Sequence, residues 1–177
     1  NLGTATGGLD LTDDELDNIT AGTLQIGDGS SGTITVSAAI NHDNNLSLTT
    51  GAGVTFNNAV TMAVDKNLTV SALGTTNGTI NLSGSSSDLI SSGTGAISLT
   101  TVRNIPLASG SSITTVNGGI TLSANATGAT TGNFVGLSAS GATIRTSGTD
   151  NISLTGRGAN NSNVNSSKHG VSLLAGT

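Results

Sequence analysis

An apolar–polar–apolar tripeptide returns six times along this chain, and its spacing constrains the fold more than any other feature. It reads Leu24-Gln25-Ile26, Leu46-Ser47-Leu48, Leu68-Thr69-Val70, Ile97-Ser98-Leu99, Ile120-Thr121-Leu122 and Ile152-Ser153-Leu154, with starts 22, 22, 29, 23 and 32 residues apart. A second series lies between: Ile34-Thr35-Val36, Val54-Thr55-Phe56, Ile80-Asn81-Leu82, Ile105-Pro106-Leu107, Val135-Gly136-Leu137 and Val171-Ser172-Leu173. A third, weaker series holds Ile40, Val60 with Met62, Leu89 or Ile90, Ile113 and Ile144. In an extended strand, residues i and i+2 point one way and i+1 the other. Each repeat of about 22 residues is therefore expected to hold three short strands, each with one apolar side.

The gaps between series choose among architectures. From second to third, and from third to the next first, the spacing stays at about 6 to 10 residues, whereas from first to second it runs 10, 8, 12, 8, 15 and 19. Length variation confined to one junction is what a three-faced coil allows, because one corner can extrude loops without disturbing the stack. A sandwich would scatter its long loops over both ends. The expected fold is an all-β, right-handed parallel β-helix of about six rungs over residues 23–177. Residues 1–22 are expected to form a separate irregular or short helical capping or linker segment. Rungs stacked about 4.8 Å apart make a rod roughly 25–30 Å long. A buried aliphatic side chain contributes about 1.5–3 kcal/mol, against about 1–2 kcal/mol of backbone entropy per ordered residue. A single rung is too small to hold itself together, and only the stack is stable.

Composition agrees. Gly, Ser, Thr and Asn make up more than half the chain, yet there is one Pro and a net charge of only -5, with Thr, Ile and Val abundant, so short strands fit better than disorder. Phe56 and Phe134 are the only aromatic residues, so the core must be one that aliphatic side chains fill alone. No cysteine is present, which removes disulfides, cysteine–zinc sites and thiol chemistry. The acidic balance argues against nucleic acid as a partner, and no apolar run is long enough to span a membrane.

Several single residues carry expectations. Gly53, Gly78, Gly119 and Gly141 fall at corners, where a tight turn or a positive φ is needed. Asn45, Asn67 and Asn151 precede first-series strands at equivalent positions, either as part of a stacked amide ladder or as ordinary corner residues. Pro106 lacks a ladder donor, so a bulge or a broken bond is expected there. Thr12-Asp13-Asp14-Glu15 has the form of a capping box. The chain stops after Leu173-Leu174, partway through a rung, as a fragment or a module meeting a neighbour would.

The stretch LTDDELDNITAGTLQIGDGSSGTITVSAAI, residues 11–40, resembles a segment of very large bacterial repeat exoproteins. These are grouped with the filamentous-haemagglutinin-like adhesins and autotransporter passenger domains. Residues 104–158, with NIPLASGSSITTVNGGITLSAN and NISLTGRG, are similar to the same class. The resemblance implies secretion to the surface or exterior of a Gram-negative-type bacterium and a rod-like β-helix. It carries no catalytic motif.

The residues themselves point away from an enzyme and need no cofactor. Asp10, Asp13, Asp14, Glu15 and Asp17 form the densest charge cluster. They offer oxygens to Ca²⁺, but EF-hand spacing is absent, and acids in a first helical turn are favoured by the dipole alone. His42-Asp43 and Lys168-His169 read as solvated loop residues rather than as a metal site. A polysaccharide-degrading β-helix would cluster carboxylates on one face, whereas Arg103, Arg145, Arg157, Lys66 and Lys168 are scattered without acidic partners. Sequons at Asn45, Asn67, Asn77 and Asn151 follow from composition. Ice binding asks for outward Thr-x-Thr pairs repeated on one face, and only Thr33 with Thr35 supplies such a pair.

Function is thus expected at the variable corner, since recognition sits on loops held by a rigid scaffold. Its longest loops are Ser123–Asn133 and Gly156–Gly170. The second holds the candidate interaction residues Arg157, Asn160, Asn161, Asn163, Asn165, Lys168 and His169, polar groups able to hydrogen-bond a sugar or a neighbouring chain. The expected partners are further copies or rungs, a surface glycan, or a host or cell-surface protein. A structural or adhesive rod is the leading reading, a carbohydrate-binding or ice-binding β-helix the alternative, and a polysaccharide-degrading enzyme a more distant one.

Overall fold

The computed structural model describes residues 1–3, 10–160 and 168–175. Apart from one five-residue helix, its regular structure is β, in three parallel sheets that form a parallel β-helix of about six rungs. The first face contains Thr23–Ile26, Asn45–Thr50, Leu68–Ala72, Ile97–Thr101, Ile120–Ala124 and Ile152–Gly156. The second contains Ile34–Val36, Val54–Phe56, Ile80–Leu82, Ile105–Leu107, Leu137–Ser140 and Val171–Leu174, extended by Leu2–Gly3 and Leu11–Thr12. The third contains Ile40–His42, Val60–Val64, Asp88–Ser92, Ser112–Thr115 and Thr143–Thr146. Along the coil each strand pairs with its equivalent one repeat away, so Leu24, Leu46, Leu68, Ile97, Ile120 and Ile152 stack in one column.

Alternation places the core. Leu46, Leu48, Leu68, Val70, Ile97, Leu99, Ile120 and Leu122 are buried inside the first face, and Val54, Phe56, Ile80 and Leu82 inside the second. On the third face Leu89 turns inward and Ile90 outward, since Leu89 pairs with Val60 and Ile113. At the end of the first face the inward column runs Thr50, Ala72, Thr101 and Ala124. The two buried threonines are satisfied by corner carbonyls: Thr50 Oγ1 donates to Ser31 O at 2.9 Å, and Thr101 Oγ1 donates to Gly78 O. Buried hydroxyls so paired cost little.

Three expectations are corrected, and the open choice at Asn45 and Asn67 is decided. The fifth strand of the second face is Leu137–Ser140, not Val135-Gly136-Leu137, because Leu137 pairs with Ile105 and Val171. Gly136 belongs to the preceding corner: its carbonyl accepts from Ile105 N at 2.8 Å, as Gly53 O accepts from Ile34 N at 3.1 Å one end of the coil away. The small Ala139 takes the inward place filled elsewhere by Val36, Phe56, Leu82 and Leu107. His42 is not a solvated loop residue but an inward position of Ile40–His42, 1% exposed. Asn45 and Asn67 do not stack amide on amide. Instead, Asn45 Oδ1 accepts from Asn67 N at 2.9 Å and Asn67 Oδ1 from Ala96 N at 2.8 Å, each side chain tying its own corner to the next. The tight corner glycine is Gly118 rather than Gly119. A methyl at Gly118 would strike Gly95 O of the rung before, whereas at Gly119 its nearest neighbour is Asn151 O at 3.3 Å. Gly118→Ala is expected to cost about 1–3 kcal/mol by forced overpacking and Gly119→Ala, whose methyl makes one tight contact, clearly less, as urea titration would measure; equal costs would refute the assignment.

Pro106 behaves as a missing donor should. The pairing of Ile80–Leu82 with Ile105–Leu107 is reduced to Leu82 with Leu107, where the preceding rung makes three pairs.

Residues 13–17 form the helix, with Thr12 as N-cap and a complete capping box: Glu15 N donates to Thr12 Oγ1, and Thr12 N to Glu15 Oε2 at 2.9 Å. The helix packs on Ile40–His42, the edge of the third face, and buries Leu16 completely. Asp13 Oδ1 accepts from Asn41 N at 2.9 Å, occupying a donor that an open edge would present. At the opposite end Ile152, Leu173 and Leu174 are 39%, 57% and 64% exposed around an apolar hollow of about 400 Å³. No helix among the described residues is long and apolar enough to cross a membrane.

Candidate functional site

The connections from first to second face span 27–33, 51–53, 73–79, 102–104, 125–136 and 157–170, while no connection at the other two corners exceeds five residues. One edge of the rod therefore carries all the long loops, and they pack on one another as a ridge. Asn125 organises the centre. It adopts φ 47, tolerated by Asn better than by most residues. Its Oδ1 accepts from Thr130 N at 3.2 Å and its Nδ2 donates to Gly158 O at 3.1 Å. Thr130 Oγ1 donates to Val102 O at 2.6 Å, joining this loop to the rung before.

Four of the expected interaction residues reach this ridge. Arg157 is exposed and lies over Gly128, whose φ of +69 favours glycine; a methyl there would sit 3.0 Å from Arg157 Cδ. Asn160 is exposed, and its N–H donates to Thr130 O at 2.9 Å. His169 is exposed and its carbonyl accepts from Gly136 N at 3.1 Å, while Lys168 is half-buried. Asn161, Asn163 and Asn165 lie outside the described residues. Residues 157–160 are thus woven into the ridge through their backbone, since Arg157 N also donates to Ala124 O and Ala159 N to Phe134 O.

A recess on this edge centres on Arg103, which the sequence marks only as one scattered cation. Arg103 stacks its guanidinium on the Phe134 ring, 4.8 Å from the centroid, and Nη1 donates a long bond of 3.5 Å to Thr75 O. With Thr75, Thr76, Ala129, Thr130 and Thr131 it lines a cleft of about 320 Å³. A guanidinium held against a ring presents its remaining donors in a fixed plane suited to carboxylate or sulfate oxygens. No carboxylate among the described residues pairs with it.

One sequence signal would have pointed here. Nine of the ten acidic residues lie at or before Asp88, whereas Arg103, Arg145, Arg157 and Lys168 all follow it with Asp150 as the sole acid. The rod is acidic toward one end and basic toward the other, and the Arg103 cleft, with loops 125–136 and 157–170, belongs to the basic half. The acidic residues of the cap are engaged locally: Glu15 in the capping box and Asp13 on Asn41. Their hydrogen bonds from Thr12 hold the Glu15 carboxyl below its ordinary range. Among the described residues no group of three or more His, Asp or Glu is arranged to hold a metal ion.

Comparison with protein-family models, with curated proteins and with solved structures returned no match for this chain.

Proposed function

We propose that the chain is a non-enzymatic structural and adhesive segment of a secreted bacterial surface protein, similar in kind to the filamentous-haemagglutinin-like exoproteins. In this reading the β-helix is a stiff rod and the loop ridge its recognition edge. The carrying observation is that every long connection falls on one corner and is cross-bonded there to its neighbours. Passive insertions have no need of Asn125, Thr130 and Arg103 linking the loops of four successive rungs. The cationic cleft favours an anionic partner, a surface glycan or an acidic protein segment, over a neutral one. The lack of any Asp or Glu between Asp88 and Asp150 leaves loop 125–136 without the carboxylates of a glycoside-cleaving pair.

The bonds of the flanking residues set the limits of a loop deletion that tests this reading. Because 157–160 and 168–170 are bonded to the scaffold, excision belongs within 161–167, with a two-residue Gly-Ser bridge in its place. The trimmed chain is expected to keep its β-rich circular dichroism and unfolding midpoint while losing attachment to a glycan array or to cells. Unchanged attachment by both this variant and Arg103→Gln would remove the adhesive reading. Negative-stain images of the same preparations distinguish a purely structural rod, which forms ordered end-to-end filaments through the apolar end at Ile152 and Leu173, from a monomeric adhesin.

A further inference from the structure

The first face carries a pattern that neither the core nor the ridge explains. Between the inward residues of five consecutive strands, the outward positions stack in two columns. One column is Ser47, Thr69, Ser98, Thr121 and Ser153, and the other is Thr49, Ser71, Thr100, Ser123 and Thr155. Every rung presents one Ser and one Thr, and the two types swap columns at each step. The result is a checkerboard of hydroxyls with repeats of about 4.8 Å across the rungs and about 6.6 Å along each strand.

Three further facts single this face out. None of the ten residues is buried. None of the five strands contains an Asp, Glu, Lys, Arg or aromatic residue. None of the ten hydroxyls bonds to protein among the described residues, although hydroxyls elsewhere do: Ser83 Oγ to Phe56 O at 3.0 Å, Ser112 Oγ to Asp88 Oδ1 at 2.6 Å, Thr94 Oγ1 to Asp65 Oδ1 at 3.0 Å. The outward positions of the other faces are mixed, with Thr35, Thr55, Asn81 and Pro106 on the second and Asn41, Thr61, Ile90, Thr114 and Arg145 on the third.

We infer that this face binds ice. A protein partner would want aromatic or arginine anchors and a desolvated pocket, and a soluble saccharide would want a concavity with a few convergent groups. An uncharged, regularly repeating array of this kind offers neither. Each hydroxyl both donates and accepts, so ten of them hold surface waters at fixed intervals, while the Thr methyls restrict the waters between. Single contacts of this kind are weak, and they add only against a ligand that repeats with matching period, which means a crystal. The sheet supplies the periodicity already formed, so no side chain or loop has to be ordered on contact. Crystalline water is the regular solid best suited to hydroxyls without aromatic platforms.

The test uses the purified 177-residue chain. It is expected to partition into slowly growing ice and to inhibit ice recrystallisation. Thr100→Tyr, at the centre of the exposed array, is expected to abolish both, and so is Thr121→Lys, a second variant in case the first perturbs folding. Thr55→Tyr on the second face is expected to leave both unchanged, and so is excision within 161–167, which separates this proposal from the loop reading. Exclusion of the wild-type chain from ice would overturn the inference. Equal ice uptake by folded Thr100→Tyr and Thr121→Lys would do the same, as would binding to microcrystalline cellulose without ice uptake.

Discussion

Leu99→Ala is expected to destabilise the rod by about 2–5 kcal/mol, the range for truncating a large aliphatic in a packed core. Leu99 is fully buried and pairs with Val70 on the rung before and Leu122 on the rung after. Its removal opens a gap that two rungs share, and neither can close it without breaking register with its other neighbour. In a stack, stability is a sum over adjacent rungs, so a lesion at the middle weakens two interfaces at once. The same truncation at Leu173, 57% exposed on the last strand, is expected to cost about 0.5 kcal/mol. Urea unfolding followed by circular dichroism measures both. Similar losses at the two sites would mean that the inward columns do not form a continuous core.

His42 is expected to make the helical cap acid-sensitive. The ring is 1% exposed beneath the helix, and neither Nδ1 nor Nε2 has a hydrogen-bond partner. Burial holds its pKa below the ordinary imidazole value, opposed by the carboxylates of Asp17, Asp43 and Asp13. The fold therefore prefers the neutral ring, and the unfolded chain binds the proton more readily. Stability is complete above the ordinary imidazole range and declines as pH falls below about 6.5, down to the lower pKa of the folded state. Thermal unfolding at about pH 7.5 and about pH 5.5 should show this decline, in a window above the ordinary titration of Asp. His42→Met, copying the next residue of its column, Met62, removes two orphaned polar atoms whose burial costs about 1–3 kcal/mol. That variant is expected to be more stable and to lose the decline. An exposed control, His169→Gln, should retain it. A wild-type midpoint that stays constant over this range would refute the assignment.

Legibility in the sequence followed the size of the inward side chains. All six strands of the first face were readable because each holds two branched aliphatics flanking one polar residue. The fifth strand of the second face lies two residues beyond its apparent motif because Ala139 is small and Val135 next to Gly136 imitates the motif. His42 reads as a loop residue in the sequence because its polarity outweighs its place two residues after Ile40. The ridge was readable only as a place where length varies. Arg103 and Phe134 are 31 residues apart and meet only because successive loops stack. The hydroxyl net was hidden because Ser and Thr alternate between columns, so a search for Thr-x-Thr finds no repeat until the strands are aligned.

What the sequence determined alone was the period, the number of faces, the corner that varies and the inward side of most strands. Those properties come from the alternation of side chains along an extended backbone, which acts between residues two apart. Only the tertiary structure decided the register of the weak strand, the burial of His42, the joining of the loops and the columns on the first face. Each of these depends on contacts between residues a full rung apart, and backbone bonding between rungs sets them with little regard to which side chain points outward.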